Sequence, residues 1–265
     1  MVNQEKKMLD KKSWKKVATI EARMTSSRLP GKIMMSLAGR PSLEQIVDRV
    51  RRAKHVDQVV IATTTNWQDD AVEKWARAYG VSIYRGSEDD VLLRVLEAQR
   101  AFKGEIVVEL TGDCPFLDPG IIDEVVRFYV EHDYNYVSNS KVRSYPLGFD
   151  VKVFSLADLE EVNRISQDPA DREHVSLYLY EHPEKFSAHT LMAPPELHRP
   201  QMRICVDTPE DFAVAESIYN ALYPKKPDFN AHDIVRYLES HPEVLKINAT
   251  VQQRPARMQT GSGSH

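Results

Sequence analysis

Short apolar runs alternate with amphipathic segments along the first half of the chain. The apolar runs predict buried strands at 17–20, 56–62, 81–84 and 106–110. The segments between them have the apolar spacing of helices and predict helices at 42–50, 69–79, 89–102 and 119–131. This alternation predicts an α/β fold, with a mostly parallel sheet and helices on both faces. Ligands of such folds bind at the carboxyl ends of the strands.

The second half of the chain is less regular. Its patterns predict strands at 135–138, 149–154, 188–192 and 202–206, and helices at 156–165, 172–181, 209–222 and 230–240. We expect a single domain over 17–240, in which the irregular segment 139–199 forms an acceptor-binding region or a dimer interface. The segment carries aromatic residues, which are enriched at interfaces, and so favours a homodimer. These are Tyr145, Phe149, Tyr178 and Tyr180.

Composition narrows the class of protein. The 265 residues are 42% hydrophobic and carry a net charge of −4, which suits one large globular domain and argues against general nucleic-acid binding. The two cysteines make no disulfide framework, so a cytoplasmic location is expected. No apolar run could span a bilayer, so no membrane contact is expected. Residues 1–16 are Lys-rich without a signal-peptide core and predict a solvated extension, while 261–265 resemble an appended linker.

A basic loop follows the first predicted strand and is the strongest functional motif. Three cations, three hydroxyls and a glycine lie within residues 22–32. Arg holds phosphate oxygens in a bidentate way, Lys acts as a point charge, and backbone N–H groups add donors. The loop therefore predicts triphosphate binding, with a solvated basic loop as the alternative. The expected nucleotide-binding residues here are Ala22, Arg23, Ser26, Arg28 and Lys32.

The pattern Arg23-x-x-Ser26-x-Arg28-Leu29-Pro30-x-Lys32 also resembles a known family. It is similar to the bacterial cytidylyltransferases that make CMP-activated sugars such as CMP-Kdo and CMP-sialic acid. The nearer similarity, over about 17–238, is to the SpsF group of spore-coat polysaccharide biosynthesis. The resemblance implies a Rossmann-like core of GT-A type, CTP as substrate and Mg²⁺ as cofactor. It gives Arg23, Arg28 and Lys32 a catalytic role on the leaving pyrophosphate. Glu21 departs from the family, which more often has glutamine there.

Two aspartates follow apolar strands and are candidate metal ligands. Asp113 stands in Thr-Gly-Asp-Cys-Pro, and Asp207 stands in Val-Asp-Thr-Pro-Glu-Asp. Mg²⁺ commonly takes one or two carboxylates with phosphate oxygens and water. Asp113 alone also suits a turn. Helix capping explains Thr208 and Asp211 without a metal, but it does not require Asp207. The resemblance makes Asp113 and Asp207 the metal carboxylates.

The run Tyr-Arg-Gly-Ser at 84–87 is a further nucleotide-binding candidate. The resemblance places a similar run beside the nucleotide, which selects Arg85, Gly86 and Ser87. The alternative is that Ser87 and the acids after it cap the helix predicted at 89–102.

The acceptor side is expected at 145–150 and 171–174, which resemble segments of SpsF-type proteins. Arg172 and His174 could hold an acid group of the acceptor, and Asp150 could orient a hydroxyl. The alternative for the second segment is a salt-bridged helix start at Asp171, with His174 structural.

These features together predict a Mg²⁺-dependent transfer of CMP from CTP to an acidic sugar, sugar phosphate or phosphonate, with release of pyrophosphate, for cell-surface glycan synthesis. A glycosyltransferase on the same fold is the alternative, but Asp113-Cys114-Pro115 lacks the second acid of an Asp-x-Asp motif. A non-catalytic nucleotide-binding module has no need for two metal carboxylates.

Overall fold

The computed structural model describes residues 11–257 and contains a seven-stranded sheet in the order β5-β4-β1-β6-β8-β7-β9, with a small β2–β3 ribbon beside it. The strands are β1 (Lys16–Glu21), β2 (Ser36–Leu37), β3 (Arg40–Pro41), β4 (Gln58–Thr64), β5 (Ser82–Gly86), β6 (Ile106–Thr111), β7 (Tyr136–Ser138), β8 (Lys152–Ser155) and β9 (Ala188–Thr190).

The helices are α1 (Ser42–Val50), α2 (Asp70–Tyr79), α3 (Val91–Ala101), α4 (Pro119–Glu131), α5 (Leu156–Ile165), α6 (Pro169–Glu173), α7 (Leu177–Glu181), α8 (Pro209–Leu222), α9 (Ala231–Ser240) and α10 (Pro242–Lys246). Two 3₁₀ turns lie at Lys32–Met34 and Trp67–Asp69.

The first four long strands form the parallel part of the sheet. β1 lies between β4 and β6 and is parallel to both, and β5 extends the sheet beside β4. The chain moves from β1 to one side and then returns to β6 on the other. The carboxyl ends of β1 and β6 therefore flank the topological switch point, where α/β sheets bind ligands. The predicted α/β fold is confirmed, with β8 antiparallel to β6 and β7.

The hydrophobic core has one part on each face of the sheet. On one face, α1, α2, α4, α8 and α9 pack against Ala18, Ile20 and Val108. On the other face, α3, α5 and α7 pack against Val17 and Val107. Every residue of Val17–Ile20 is fully buried, which explains why this strand reads as one continuous apolar run.

The second half differs from the sequence prediction in two places. The predicted strand at 202–206 is wrong: the segment makes one isolated bridge, between Arg203 and Leu147. Gly148, at a φ of 126°, turns the chain against Cys205 there. The predicted helix at 172–181 is two short helices, α6 and α7, because Asp168 caps an earlier start and the chain turns at His174.

Segment 139–199 is part of the main sheet through β8 and β9. Three of the aromatic residues that suggested a dimer interface, Tyr145, Phe149 and Tyr178, are buried inside this protomer. They are therefore not free for a partner, and the homodimer stays a prediction that light scattering would test. No helix within residues 11–257 is long and apolar enough to cross a membrane.

The N-terminal segment is part of the fold where it is described. Lys11 is almost completely buried, and its Nζ donates to the carbonyl oxygens of Tyr129, His132 and Tyr134 at 3.0–3.4 Å. Within the predicted solvated extension, Lys11 is thus buried, whereas Lys12 and Ser13 are exposed. The remainder of the extension, 1–10, and the linker-like 261–265 lie outside the described residues.

Candidate active site

A buried aspartate holds the basic loop after β1 in place. Asp69 is fully buried, and its Oδ1 accepts from the backbone N–H of Met24 at 2.7 Å. Its Oδ2 accepts from the backbone N–H of Thr64 at 3.1 Å, at the end of β4. The loop closes where Gly31, at a φ of 73°, donates its N–H to the carbonyl of Met24 at 2.9 Å. The loop is thus fixed to the sheet by its backbone.

Three cations surround the carboxylate of Asp207. Arg28 and Arg203 each lie 3.0 Å from its Oδ2, and the Nζ of Lys32 lies 3.0 Å from its Oδ1. Burial raises the pKa of Asp207, but these cations outweigh it and hold the pKa below its ordinary value. Asp207 is therefore ionised at neutral pH. It forms ion pairs with two of the predicted cations, Arg28 and Lys32.

Asp113 faces the same ammonium. Its Oδ2 lies 4.0 Å from Lys32 Nζ, and its Oδ1 accepts from the hydroxyl of Thr111 at 2.5 Å. The N–H of Val206 donates to the carbonyl oxygen of Asp113 at 2.7 Å, which fixes the two aspartate-bearing segments to each other. The structure therefore brings both predicted metal carboxylates to Lys32.

Gly112 sets the spacing between the ends of β1 and β6. Its N–H donates to the carbonyl oxygen of Glu21 at 2.8 Å. A Cβ at this position would lie 2.7 Å from that oxygen and 3.2 Å from the Cβ of Ala22, so only glycine fits.

Asp211 positions Arg203, a cation of the site that the sequence analysis did not select. Arg203 donates to Asp211 from Nε at 2.8 Å and from NH2 at 2.9 Å, while Asn248 donates to the same carboxylate at 2.8 Å. Asp211 also completes the predicted capping box with Thr208 at the start of α8. The expected helix-start acid therefore also aims a guanidinium at Asp207.

The donor set fits a divalent ion that arrives with a nucleotide. Asp113 and Asp207 supply two carboxylates, and the position of Lys32 shows that the pair accepts a cation. Within residues 11–257, no group of three or more His, Cys, Asp or Glu side chains could hold a metal. Phosphate oxygens would therefore have to complete the coordination of Mg²⁺.

A cavity of about 820 Å³ opens over these residues. All five predicted nucleotide-binding residues of the basic loop line it, as do Asp113 and Asp207. Its lining includes Ala22, Arg23, Ser26, Arg28 and Lys32, then Thr111, Asp113, Asp150, Glu173, His174, Cys205 and Asp207.

Residues 251–257, which we call the C-terminal strap, run along the cavity. Gln253 and Arg254 line it; Gln253 accepts from Arg203 NH1 at 2.7 Å, and Arg254 lies 3.4 Å from the hydroxyl of Ser27. Arg257 ties the end of the strap to the α6–α7 region through three carboxylates. These are Asp168 at 2.9 Å and Asp171 and Glu181 at 2.6 Å.

The other nucleotide-binding candidates have structural contacts. The guanidinium of Arg85 donates to Asp70 and Glu73 at 2.7 Å and to the carbonyl oxygens of Thr64 and Asn66. It therefore holds the loop after β4 and does not line the cavity. Gly86 packs against Arg94, where a Cβ would lie 3.0 Å from its Cγ.

Ser87 belongs to the cap of the helix α3, as the alternative interpretation predicted. Its hydroxyl accepts from the N–H of Asp90 at 3.1 Å, and Asp90 caps α3 by accepting from the N–H of Leu93 at 2.8 Å. Neither Gly86 nor Ser87 lines the cavity.

The acceptor candidates divide into two groups. Asp150 and His174 line the cavity, with Asp150 held by a bidentate pair from Arg143 at 2.5 and 2.8 Å. Arg172 does not line it. Its guanidinium donates to Asp90, with Nε at 2.9 Å from Oδ2, and to Asn163. Arg172 therefore joins α6 to the start of α3, and the structure does not bring it to the site.

A second charged cluster lies on the floor of the cavity; the sequence analysis noted Glu21 of this cluster and missed its other three residues. Glu21, Glu109, Lys152 and Arg94 all line it, and Lys152 donates to Glu109 Oε1. Burial and the neighbouring Glu109 raise the pKa of Glu21 to about 8. The available signal was an ionisable residue inside an otherwise apolar strand, in Val-Val-Glu-Leu of β6 and Lys-Val-Phe of β8.

Both cysteines are buried near the site. Burial raises the pKa of the Cys114 and Cys205 thiols well above the ordinary value, with nearby Asp113 adding to the effect. The thiols stay protonated at neutral pH, so neither suits the role of nucleophile.

Comparisons with known proteins agree with this geometry. A family model described as cytidylyltransferase matches residues 17–234. The spore coat polysaccharide biosynthesis protein SpsF of Bacillus subtilis is 36% identical over 234 residues, which cover 84% of this chain and 94% of that protein. An uncharacterised protein of Methanocaldococcus jannaschii is 31% identical over 241 residues, with 91% and 97% covered.

Solved structures support the fold. A cytidylyltransferase from Leptospira borgpetersenii superposes with a TM-score of 0.83 at 31% identity, over 91% of this chain and 100% of that one. A CMP:2-keto-3-deoxy-manno-octonic acid synthetase complexed with CTP gives a TM-score of 0.58 at 19% identity, over 78% of this chain and 100% of that one. The second comparison bears on the fold alone, and the predicted nucleotidyltransferase-type core is confirmed.

Proposed function

Because the chain belongs to the cytidylyltransferase family, we propose that it transfers CMP from CTP to an acidic sugar, sugar phosphate or phosphonate and releases pyrophosphate. The similarity to SpsF supports a role in polysaccharide biosynthesis. An acceptor oxygen attacks the α-phosphorus of CTP and forms a new P–O bond. The bond between the α-phosphorus and the oxygen that bridges it to the β-phosphorus breaks. A hydroxyl acceptor releases its proton to water, whereas an ionised phosphate or phosphonate oxygen has none to release, and pyrophosphate leaves with the electron pair of the broken bond.

One observation carries the proposal. Lys32 lies 3.0 Å from Asp207 and 4.0 Å from Asp113, at the base of a cavity that the basic loop lines. Cationic donors for a triphosphate and two carboxylates for a metal thus meet at one place. The second acid of a glycosyltransferase motif is replaced by Pro115 here.

In this proposal, the cationic residues bind the triphosphate and the carboxylates bind the metal. Arg23, Arg28 and Lys32 bind the triphosphate, and they stabilise the charge that develops on the leaving pyrophosphate. Ser26 adds a hydroxyl donor. Asp113 and Asp207 would hold Mg²⁺, which, when bound, lowers the cost of the charge on the reacting phosphate. Arg203, held by Asp211, keeps Asp207 directed at the same point.

The acidity of the acceptor has less support than the triphosphate site. Arg172, which was expected to hold the acid group, is paired with Asp90. His174 still lines the cavity, as does Lys152. We propose that His174 meets a negative group of the acceptor.

Pyrophosphate release tests the function directly. The protein with Mg²⁺ and each of the four nucleoside triphosphates is incubated with a panel of acidic sugars, sugar phosphates and phosphonates. We expect release with CTP and a subset of acceptors, and none without metal. Tighter calorimetric binding of ATP or GTP than of CTP would reject the cytidylyl assignment.

A further inference from the structure

The floor of the cavity carries two carboxylates on one face of the sheet. In the register of β1 and β6, Thr19 lies opposite Glu109 and Glu21 lies opposite Thr111. Glu21 and Glu109 are therefore diagonal neighbours on the same face. On the other side of β6, Lys152 of β8 lies directly opposite Glu109. Three adjacent strands thus place two acids and one ammonium together.

These carboxylates have unused hydrogen-bonding capacity. Oε1 of Glu21 and Oε2 of Glu109 are buried, and neither has a hydrogen-bond partner within the part of the chain that the structure describes. Glu109 is only 2% exposed, yet its side chain lines the cavity. Buried polar atoms are normally paired. Two such atoms, on residues that line one cavity, point to a ligand that supplies the missing donors.

Resting on the cytidylyl-transfer function above, we propose that Glu21, Glu109 and Lys152 form a subsite that binds the acceptor through its hydrogen-bond donors. The donors are sugar hydroxyls or an amino group, because a carboxylate oxygen accepts hydrogen bonds and donates none. The subsite is separate from the groups assigned above to the triphosphate and to Mg²⁺. It selects the acceptor by its hydroxyl or amino pattern and leaves its negative group to other residues.

Glu21 and Glu109 have different electrostatic surroundings and therefore different hydrogen-bonding roles. Burial and the charge of Glu109 raise the pKa of Glu21, while Lys152 and Arg94 oppose this and Asp113 adds to it. Glu21 is thus largely protonated at neutral pH, so it has one carbonyl-type acceptor and one O–H donor and can pair with a ligand hydroxyl in either direction. Glu109, paired with Lys152, is the stronger acceptor. Substitution of Glu109 is therefore expected to weaken acceptor binding more than substitution of Glu21.

Three hexose probes test the subsite by saturation-transfer NMR in the presence of CTP and Mg²⁺. D-glucose presents hydroxyls, D-glucosamine adds an ammonium, and fully O-methylated glucose keeps the shape without donors. We expect the first two to bind and the methylated sugar not to bind. Tighter binding of glucosamine than of glucose would identify the donor as an amino group, and the reverse would identify hydroxyls.

Variants assign the binding to the subsite. Glu109→Gln is expected to weaken glucose or glucosamine binding by about tenfold or more, and Glu21→Gln by less, because a hydrogen bond to a charged group is lost or weakened. Glu97→Gln, the same change on α3 outside the cavity, should have no effect. If Glu109→Gln does not fold because Lys152 is left unpaired, Glu109→Gln/Lys152→Met replaces it.

The outcomes separate the two proposals. Equal binding of the methylated sugar, unchanged affinity in both glutamine variants, or no binding of any probe would overturn the subsite. Calorimetry of CTP with the wild-type protein reports on the cytidylyltransferase proposal alone. Wild-type CTP binding without hexose binding would therefore reject the subsite and keep the function, whereas absent CTP binding would reject the function itself.

Discussion

Lys32 and Asp207 form an ion pair of 3.0 Å, and the same ammonium lies 4.0 Å from Asp113. The lysine thus stands between the two carboxylates that we propose hold Mg²⁺. If a metal–nucleotide complex binds there, we expect Lys32 to turn from the carboxylates to a phosphate. Lysine suits this exchange, since its ammonium is a point charge on a flexible stem.

The first prediction concerns the two carboxylates. Asp113→Asn and Asp207→Asn should each lower pyrophosphate release by about 100-fold or more, because each removes one of the two carboxylates that we propose hold Mg²⁺. Asp228→Asn, an exposed aspartate outside the site, is the control. Circular dichroism would verify the fold. Normal turnover of Asp207→Asn would show that this residue only anchors Arg28, Lys32 and Arg203.

The second prediction concerns pH. The pKa of Glu21 is raised to about 8, so the folded protein keeps a proton that the unfolded chain loses near pH 4.5. Stability should therefore fall as pH rises between these values, by up to about 1.4 kcal/mol per pH unit. Glu21→Gln removes this dependence. Its free energy of unfolding, relative to wild type, should rise from pH 5.5 to pH 8.5 in urea titrations.

Glu97→Gln is the matched control for that experiment. A difference between Glu21→Gln and wild type that stays constant with pH would mean that Glu21 is ionised in the folded protein.

The third prediction concerns Arg172. Because its guanidinium pairs with Asp90 outside the cavity, Arg172→Ala should destabilise the protein by about 1–3 kcal/mol and leave the acceptor KM nearly unchanged. Asp90→Ala should cost more, because it also removes the N-cap of α3. The double variant should lose less than the sum, as measured by denaturant titration. If Arg172→Ala raises the KM for the acceptor and leaves the KM for CTP unchanged, Arg172 binds the acceptor as the sequence predicted.

The fourth prediction concerns the C-terminal strap. Arg257→Ala removes its three ion pairs, so Gln253 and Arg254 lose their fixed position along the cavity. We expect the KM for CTP to rise several-fold with a smaller change in kcat, measured by steady-state pyrophosphate release. Arg236→Ala, an exposed arginine of α9, should behave as wild type. Identical KM values for both variants would mean that the strap does not assist nucleotide binding.

Local pattern was enough to predict much of the fold and the first half of the site. The apolar runs located β1, β4, β5 and β6, and the residues directly after β1 and β6 are the loop and Asp113. Parallel topology then brings such strand ends together. The predictions for Arg85 and Arg172 fared worse, because their partners are set by tertiary packing. Asp90 is 82 residues from Arg172 in the sequence.

The residues missed altogether have the same explanation. Glu109 and Lys152 look out of place in apolar strands until the register pairs them across β6 and β8. The role of Arg203 depends on its hydrogen bonds to Asp211, in the first turn of α8, and this pairing follows from the fold. The C-terminal strap has no periodic pattern, and its position follows from the ion pairs of Arg257 at its far end.

Gly112 has a consequence for how the site is assembled. The spacing between the phosphate-binding loop and Asp113 is a backbone-to-backbone contact of 2.8 Å, with no side chain between the two strands. The cations of the basic loop and the carboxylate of Asp113 are thus positioned relative to each other by the main chain, and side chains around them can change without altering that distance. A single added methyl group would act as a wedge and separate the two halves of the catalytic centre, although no reacting group would be lost.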